Sequence, residues 1–196
     1  MRRHFVLVLS FCLFCCSCGI TTHPEPILPK PIFESYPLTV VLYLKPEFKN
    51  TSANIDPVYG WTFELGQASV VILTQTVKAM FTRVITVEKI TDIPQKFSAT
   101  IEPDIRDFKI DFEQISVEIA YTFNVFDNQK QLIDTVSVIG KGKRQQLFKF
   151  NVYKDLTERA MKDAMAQLMV KFQNDPEIQA WLKASSENST LKELKL

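Results

Sequence analysis

Cysteine is missing from almost the whole chain. All four cysteines of the 196 residues fall at the opening, as Cys12, Cys15, Cys16 and Cys18. That excludes a disulfide framework from the rest of the protein. Histidine is as scarce, with only His4 and His23, both ahead of the first expected strand of the folded part. No Ser-His-Asp or Cys-His arrangement, and no zinc site of the His/Cys type, can therefore be assembled in that part. The chain has five Gly. The pair in Gly140-Lys141-Gly142-Lys143-Arg144 lacks the spacing of a phosphate loop. An excess of one charge is absent too. Lys and Arg number 23 against 22 Asp and Glu, a net charge of +1, which gives no reason to expect a nucleic-acid partner. Nor does any apolar run reach the ~20 residues of a membrane-spanning helix.

What is present starts at the N-terminus. Arg2 and Arg3 precede an apolar run from Phe5 to Phe14, the proportion of a secretory signal peptide. Arg2-Arg3-His4-Phe5 is superficially of the twin-arginine type, but so short a basic region before so apolar a run suits the ordinary secretory route better. Leu13-Phe14-Cys15-Cys16-Ser17-Cys18-Gly19 resembles a bacterial lipobox, in which a small residue precedes a cysteine that takes a diacylglycerol. Cys18 fits best, between Ser17 and Gly19. Cys15 stands where leucine is usual, and Cys16 is the second choice. Gly19 is not the Asp that, by analogy with enteric-type bacteria, retains a lipoprotein in the inner membrane. Sorting to the outer membrane is therefore expected.

Cleavage before Cys18 removes Arg2 and Arg3 and leaves 21 basic against 22 acidic residues. The expected organisation is a signal peptide over 1–17, a lipidated tether over 18–37, one domain over 38–184 and a polar tail over 185–196. Pro24, Pro26, Pro29, Pro31 and Pro37 favour extended chain in the tether. At ~3.1 Å per residue such a stretch could hold a domain tens of Å off a bilayer, with His23 floating inert within it.

In the domain, Leu38 to Leu44 is apolar on both faces, as in a strand central to a sheet. Asn50 to Pro57 reads as loop and Val58 to Phe63 as a short strand. Leu65 to Arg83 carries the 3.6-residue period of a helix, followed by a strand over Val84 to Val87. From Thr100 to Phe112 the apolar residues switch phase, odd-numbered through Ile105 and even-numbered from Phe108. This requires a bulge near Arg106-Asp107. Ile115 to Phe126 alternates cleanly, Asp127 to Lys130 makes a turn, and Gln131 to Gly142 returns. Lys154 to Phe172 is a helix with a stripe that includes Met161, Met165 and Met169. Asp175 and Pro176 suit the start of a short last helix through Lys183. The expected class is α+β, a mainly antiparallel sheet with two main helices on one face and a short C-terminal helix.

The stretches FSATIEPDIRDFKIDF, ISVEIAYTFNVFDNQKQLIDTVSVIGKGK and LTERAMKDAMAQLMVKFQNDPEIQAWL resemble the YajG family of bacterial lipoproteins in their order and pattern. The same broad layout recurs in the lipopolysaccharide-assembly lipoprotein LptE and in auxiliary lipoproteins of envelope lipid transporters. The resemblance implies a non-enzymatic domain on the periplasmic side of the outer membrane, with no catalytic residues, cofactor or metal.

Read from the residues themselves, three clusters invite chemistry. Glu102, Asp104, Asp107, Asp111 and Glu113 could act as paired carboxylates or cation ligands, but their alternation with apolar residues is that of a solvated strand face. Lys141, Lys143 and Arg144 could contact an acidic partner or anionic headgroups, or simply be a charged strand end. The Met stripe could line a lipid groove, or be core. The leading expectation is a binding or assembly module, attached to the membrane by its lipid and partnered by another envelope protein. The alternatives are a lipid-carrying or auxiliary subunit of an envelope lipid transporter and, last, a carboxylate-based cell-wall hydrolase.

Overall fold

Strands dominate because β-branched and aromatic residues alternate over long stretches, and two long apolar stripes at helical spacing remain to cover them. The computed structural model describes residues 21–24, 35–56, 60–143 and 152–193, with side chains up to Ser185. In chain order the elements are β1 (Thr21–Thr22), β2 (Tyr36–Tyr43), α1 (Pro46–Lys49), β3 (Ser52–Asp56), β4 (Trp61–Glu64), α2 (Leu65–Met80) and β5 (Phe81–Val87). A 3₁₀ turn (Ile90–Asp92) leads to β6 (Ala99–Asp111), β7 (Ser116–Asp127), β8 (Leu132–Lys143), α3 (Val152–Asn174) and α4 (Pro176–Glu193).

The larger sheet has the order β5-β2-β6-β7-β8. Most of its paired length is the antiparallel meander β6-β7-β8, and the class is the expected α+β. The first strand, β2, is parallel to both neighbours. That accounts for its two apolar faces, since Leu38, Val40, Val41 and Leu42 are all buried. The ladder between β6 and β7 slips between Ile105 and Asp107. This is the bulge that the phase change requires. Pro103 and Ile105 before it, and Phe108 and Ile110 after it, thus line up with Phe123, Tyr121, Ile119 and Val117 on one face.

Both main helices cover that face. Helix α3 lies on β7 and β8, α2 on β2 and β5, and the two touch each other. Met161 and Met165 are fully buried between α3 and the sheet and Met169 is partly buried, so the Met stripe is core. Asp175 caps α4, its Oδ1 accepting the N–H groups of Glu177 at 3.0 Å and Ile178 at 3.1 Å.

Several expectations change. Asn50 to Pro57, read as loop, contains β3, in which Ala53 and Ile55 turn toward the core while Ser52 and Asn54 are exposed. The alternation is built from small residues over a short span, and β4 completes it by pairing. Helix α2 ends at Met80 and β5 starts at Phe81, because Thr82, Val84, Ile85, Thr86 and Val87 favour extended chain. Helix α4 runs past Lys183 to Glu193, through the stretch expected as a polar tail.

The tether is corrected as well. Thr21 and Thr22 pair in parallel with Thr62 and Phe63 of β4, and His23 Nδ1 lies 2.9 Å from Glu64 Oε2. His23 does not float. Residues 25–34, most of the Pro-rich stretch, lie outside the described residues and stand in the sequence between β1 and β2.

One buried polar pair ties helix to sheet. Ser69 of α2 and Tyr121 of β7 share a hydrogen bond of 2.8 Å. Burial pushes the Tyr121 hydroxyl well above its ordinary value of 10.0, against a smaller opposing effect of the bond from Ser69. The folded chain therefore keeps a proton that the unfolded chain releases near pH ~10. Stability from this group is complete below that pH and falls as pH rises above it. Tyr121→Phe should cost about 1–3 kcal/mol at neutral pH by leaving Ser69 unpartnered, and should flatten the alkaline loss. Urea midpoints of both proteins at neutral and strongly alkaline pH check this. An equal alkaline loss in both would place the titration elsewhere.

Candidate functional site

The basic cluster at the end of β8 takes its shape from packing. Alternation along the strand turns Gly140 and Gly142 toward α3 and Lys141 and Lys143 away from it. A Cβ on Gly140 would stand 1.8 Å from the Ala160 carbonyl oxygen, and one on Gly142 would stand 1.9 Å from that of Leu156. The helix thus rests directly on the strand backbone.

A polar stripe of α3 then occupies the edge of β8, which is an edge strand. Asp163 Oδ2 accepts the Lys141 backbone N–H at 2.9 Å. Gln167 Nε2 donates to the Ile139 carbonyl at 2.8 Å and to Asp163 at 2.9 Å. Arg159 donates to the Lys143 carbonyl at 3.4 Å. Residues 159, 163 and 167 recur every four positions and so share one helix face. Their bonds satisfy main-chain groups that a free sheet edge would offer to another chain.

On the opposite face of the sheet, Lys141 Nζ meets Glu118 Oε1 at 2.9 Å. Lys143 is exposed. Arg144 and Cys18 lie outside the described residues. Of the three expected contact residues, Lys141 is thus engaged with Glu118, and Lys143 presents an exposed side chain at the strand's end.

The acidic strand is held by its neighbours. Glu102 pairs with Lys45, whose pKa this hydrogen bond raises. Asp104 meets Arg106 at 2.9 Å and Asp107 meets Lys109 at 2.6 Å. The hydrogen bond from Lys109 holds the Asp107 carboxyl below its ordinary value, opposite to what a general acid needs. Asp111 Oδ1 accepts the N–H groups of Glu113 at 2.9 Å and Gln114 at 2.8 Å, which shapes the turn between β6 and β7. Glu113 is exposed on that turn. Among the described residues, no three His, Cys, Asp or Glu side chains are grouped so that they could hold a metal ion.

A further cluster went unread in the sequence. Trp61 of β4, Phe112 of the β6–β7 turn and Tyr153 of α3 form a triangle, with ring centroids 6.4 Å (Trp61–Phe112), 5.7 Å (Trp61–Tyr153) and 5.4 Å (Phe112–Tyr153) apart. Phe63 and Phe108, at 5.4 Å, continue it inward. Phe112 is 49% exposed. In the same turn Ile115 takes a φ of 48°, unfavourable for a β-branched residue, with its side chain packed on the core.

No protein-family model matches the chain, and no curated protein matches it. Among solved structures, it is similar to a Xanthomonas campestris protein of the family DUF330, at 10% identity, covering 87% of this chain and 99% of that one, with a TM-score of 0.55. At so low an identity the likeness is one of fold. PelC from Paraburkholderia phytofirmans, solved as a dodecamer, is similar at 12% identity over 78% of this chain and 94% of that one, with a TM-score of 0.45. A minor lipoprotein from Acinetobacter baumannii is similar at 12% identity over 68% and 91%, with a TM-score of 0.39. No helix among the described residues is long and apolar enough to cross a membrane.

The glycine contact generates a prediction. Gly140→Ala should destabilise the domain by about 1–3 kcal/mol or more, because backbone must move to admit the methyl group. Lys141→Ala, whose side chain makes only an exposed ion pair, should stay within about 1 kcal/mol. Urea unfolding of the two variants side by side distinguishes them. Equal effects would mean that the helix does not rest on Gly140.

Proposed function

We propose that the chain is a lipid-anchored lipoprotein of the cell envelope. It acts on the periplasmic face of the outer membrane as a non-enzymatic binding or assembly module. The observation that carries the non-enzymatic part is the state of the acidic strand. Glu102, Asp104 and Asp107 are each bound to a cation and Asp111 to backbone N–H groups, so these carboxylates serve the fold. The anchor rests on the lipobox-like stretch that ends at Cys18. Its place, three residues before a strand docked on the domain, suits that role. A YajG-like assignment rests on sequence pattern, beside a fold shared with the DUF330 protein.

The reading has a partner surface. The exposed face of the meander carries Lys109, Glu118 and Lys141 in one row, with Asn124 and Thr135, bonded at 2.9 Å, further along. Lys143, exposed at the end of β8, would extend its charged end. The lipid-carrier alternative loses its expected groove at the Met stripe, because Met161 and Met165 fill the helix–sheet interface. It would need a ligand site elsewhere.

Complementation of a deletion strain, read as resistance of the envelope to detergents, tests the proposal. Cys18→Ala should abolish function by removing the local concentration that anchoring supplies. Asp107→Asn, Asp111→Asn and Glu113→Gln should each complement nearly fully. Charge reversal at Lys141 or Lys143 should weaken function in part, and should weaken partner binding most at low salt. Any single amide as damaging as the deletion, in a protein still folded and membrane-bound, would sink the non-enzymatic reading.

A further inference from the structure

We propose that the cluster of Trp61, Phe112 and Tyr153 seats the domain directly on the lipid bilayer that holds its N-terminus. The inference rests on the reading of Cys18 as the lipidated residue.

The position of β1 fixes where the anchor must be. Thr21 lies opposite Thr62 and Thr22 opposite Phe63, in parallel. The chain ahead of Thr21 therefore heads toward the Trp61 end of β4. Only three residue steps separate Cys18 from Thr21, and at ~3.3–3.6 Å per residue they span at most about 11 Å. The adjacent strand adds only ~4.8 Å. The Cys18 backbone is thus within roughly 16 Å of Thr62, the neighbour of Trp61 in β4. With Cys16 in its place the chain would have five steps, about 18 Å, which with the strand spacing reach roughly 23 Å.

At this same end the fold gathers three aromatic rings from three separate elements. It leaves the purely apolar one, Phe112, half-exposed at the tip of a turn. An amphipathic indole and phenol beside an exposed phenyl ring suit the boundary between headgroups and acyl chains. The neighbouring charges are of both signs, with Glu113 on the turn and Lys143 at the end of β8, so the attraction is apolar and should be insensitive to salt. It need not be strong, because the anchor makes the contact effectively intramolecular.

The test uses the full-length lipidated protein in phosphatidylcholine vesicles, some of whose lipids carry bromine high on the acyl chain. Trp181→Phe leaves Trp61 as the only indole, and Trp61→Phe leaves Trp181 as the control. The expected result is a blue-shifted Trp61 emission quenched by the brominated lipid, unchanged by salt, with Trp181 emission little affected. Phe112→Ser should reduce the quenching without releasing the protein from the vesicles. A polarity-sensitive dye on Phe112→Cys, a thiol at an exposed site, gives a second readout if Trp181→Phe folds poorly, and it should report an apolar environment. Vesicle flotation separates the two failures. Flotation that depends on Cys18, with neither Trp61 quenched nor the dye shifted, overturns the seating alone and leaves the cluster to another occupant. Loss of Cys18-dependent flotation overturns the anchor and the seating together.

Discussion

The direct rest of α3 on the backbone of β8 is the contact on which the other placements depend. Gly140 and Gly142 let the Ala160 and Leu156 turns of the helix come within a distance that any Cβ would block. At that distance Arg159, Asp163 and Gln167 reach the outer main-chain groups of β8. Ala160, Met161, Ala164 and Met165 of the helix and Ile119 and Tyr121 of β7 are all buried in the layer between helix and sheet. Burying each large apolar side chain there contributes about 1.5–3 kcal/mol. The helix also carries Tyr153 at one end and Phe172 at the other. Phe172 packs edge-on against Phe81 at 6.1 Å, which sets α4 beside the start of β2. A shift of α3 along β8 would disturb both ends at once.

The bulge in β6 is the second constraint, and it acts on the same end of the molecule as Tyr153. Without the inserted residue, Phe108 and Ile110 would point to the polar face and the strand would end with its apolar residues in water. With it, Phe108 meets Phe63, and the following turn, shaped by the Asp111 carboxylate, carries Phe112 to Trp61. The small sheet of β1, β4 and β3 is therefore bound to the large one through aromatic contacts. Whatever is attached to β1 inherits that position.

The sequence made the long elements legible because their signal is repeated. Ten residues of strict alternation define β7, and a change of phase inside one strand locates the bulge. Asp175-Pro176 marks the start of α4, while the spacing of the Met stripe allows core or a lipid groove and the burial of Met161 and Met165 decides for core. Elements whose signal is short were missed or misread. Two threonines cannot declare a strand, and beside the run of prolines that follows they read as tether. The small residues of β3 looked like loop. The parallel pairing of β2 left only its two apolar faces as a trace. The aromatic cluster was invisible for another reason. Trp61, Phe112 and Tyr153 stand dozens of positions apart, and only the tertiary fold brings them together. Asp163 and Gln167 keep helical spacing in the sequence, but the strand groups they serve cannot be inferred from a helix.

The docking of β1 also changes what a partner would meet. A Pro-rich tether would have presented the domain at a variable height and in any orientation. With Cys18 lipidated as proposed, a strand fixed three residues after it would leave one end of the meander near the bilayer, the end with Asp111, Ser116 and Lys143. Strands of 12 residues at ~3.3 Å each carry the opposite end, with the Asp127–Gln131 turn, about 40 Å away. Reach into the periplasm would then come from the length of the sheet, which is rigid. A rigid spacer loses less conformational entropy than a flexible one when a partner is captured. The polar face would be offered at defined heights, charged on all three strands near the membrane and, on β7 and β8, rich in Thr, Ser and Asn further out, where β6 still carries Glu102 and Asp104, so that a partner's register along the sheet would fix its distance from the membrane.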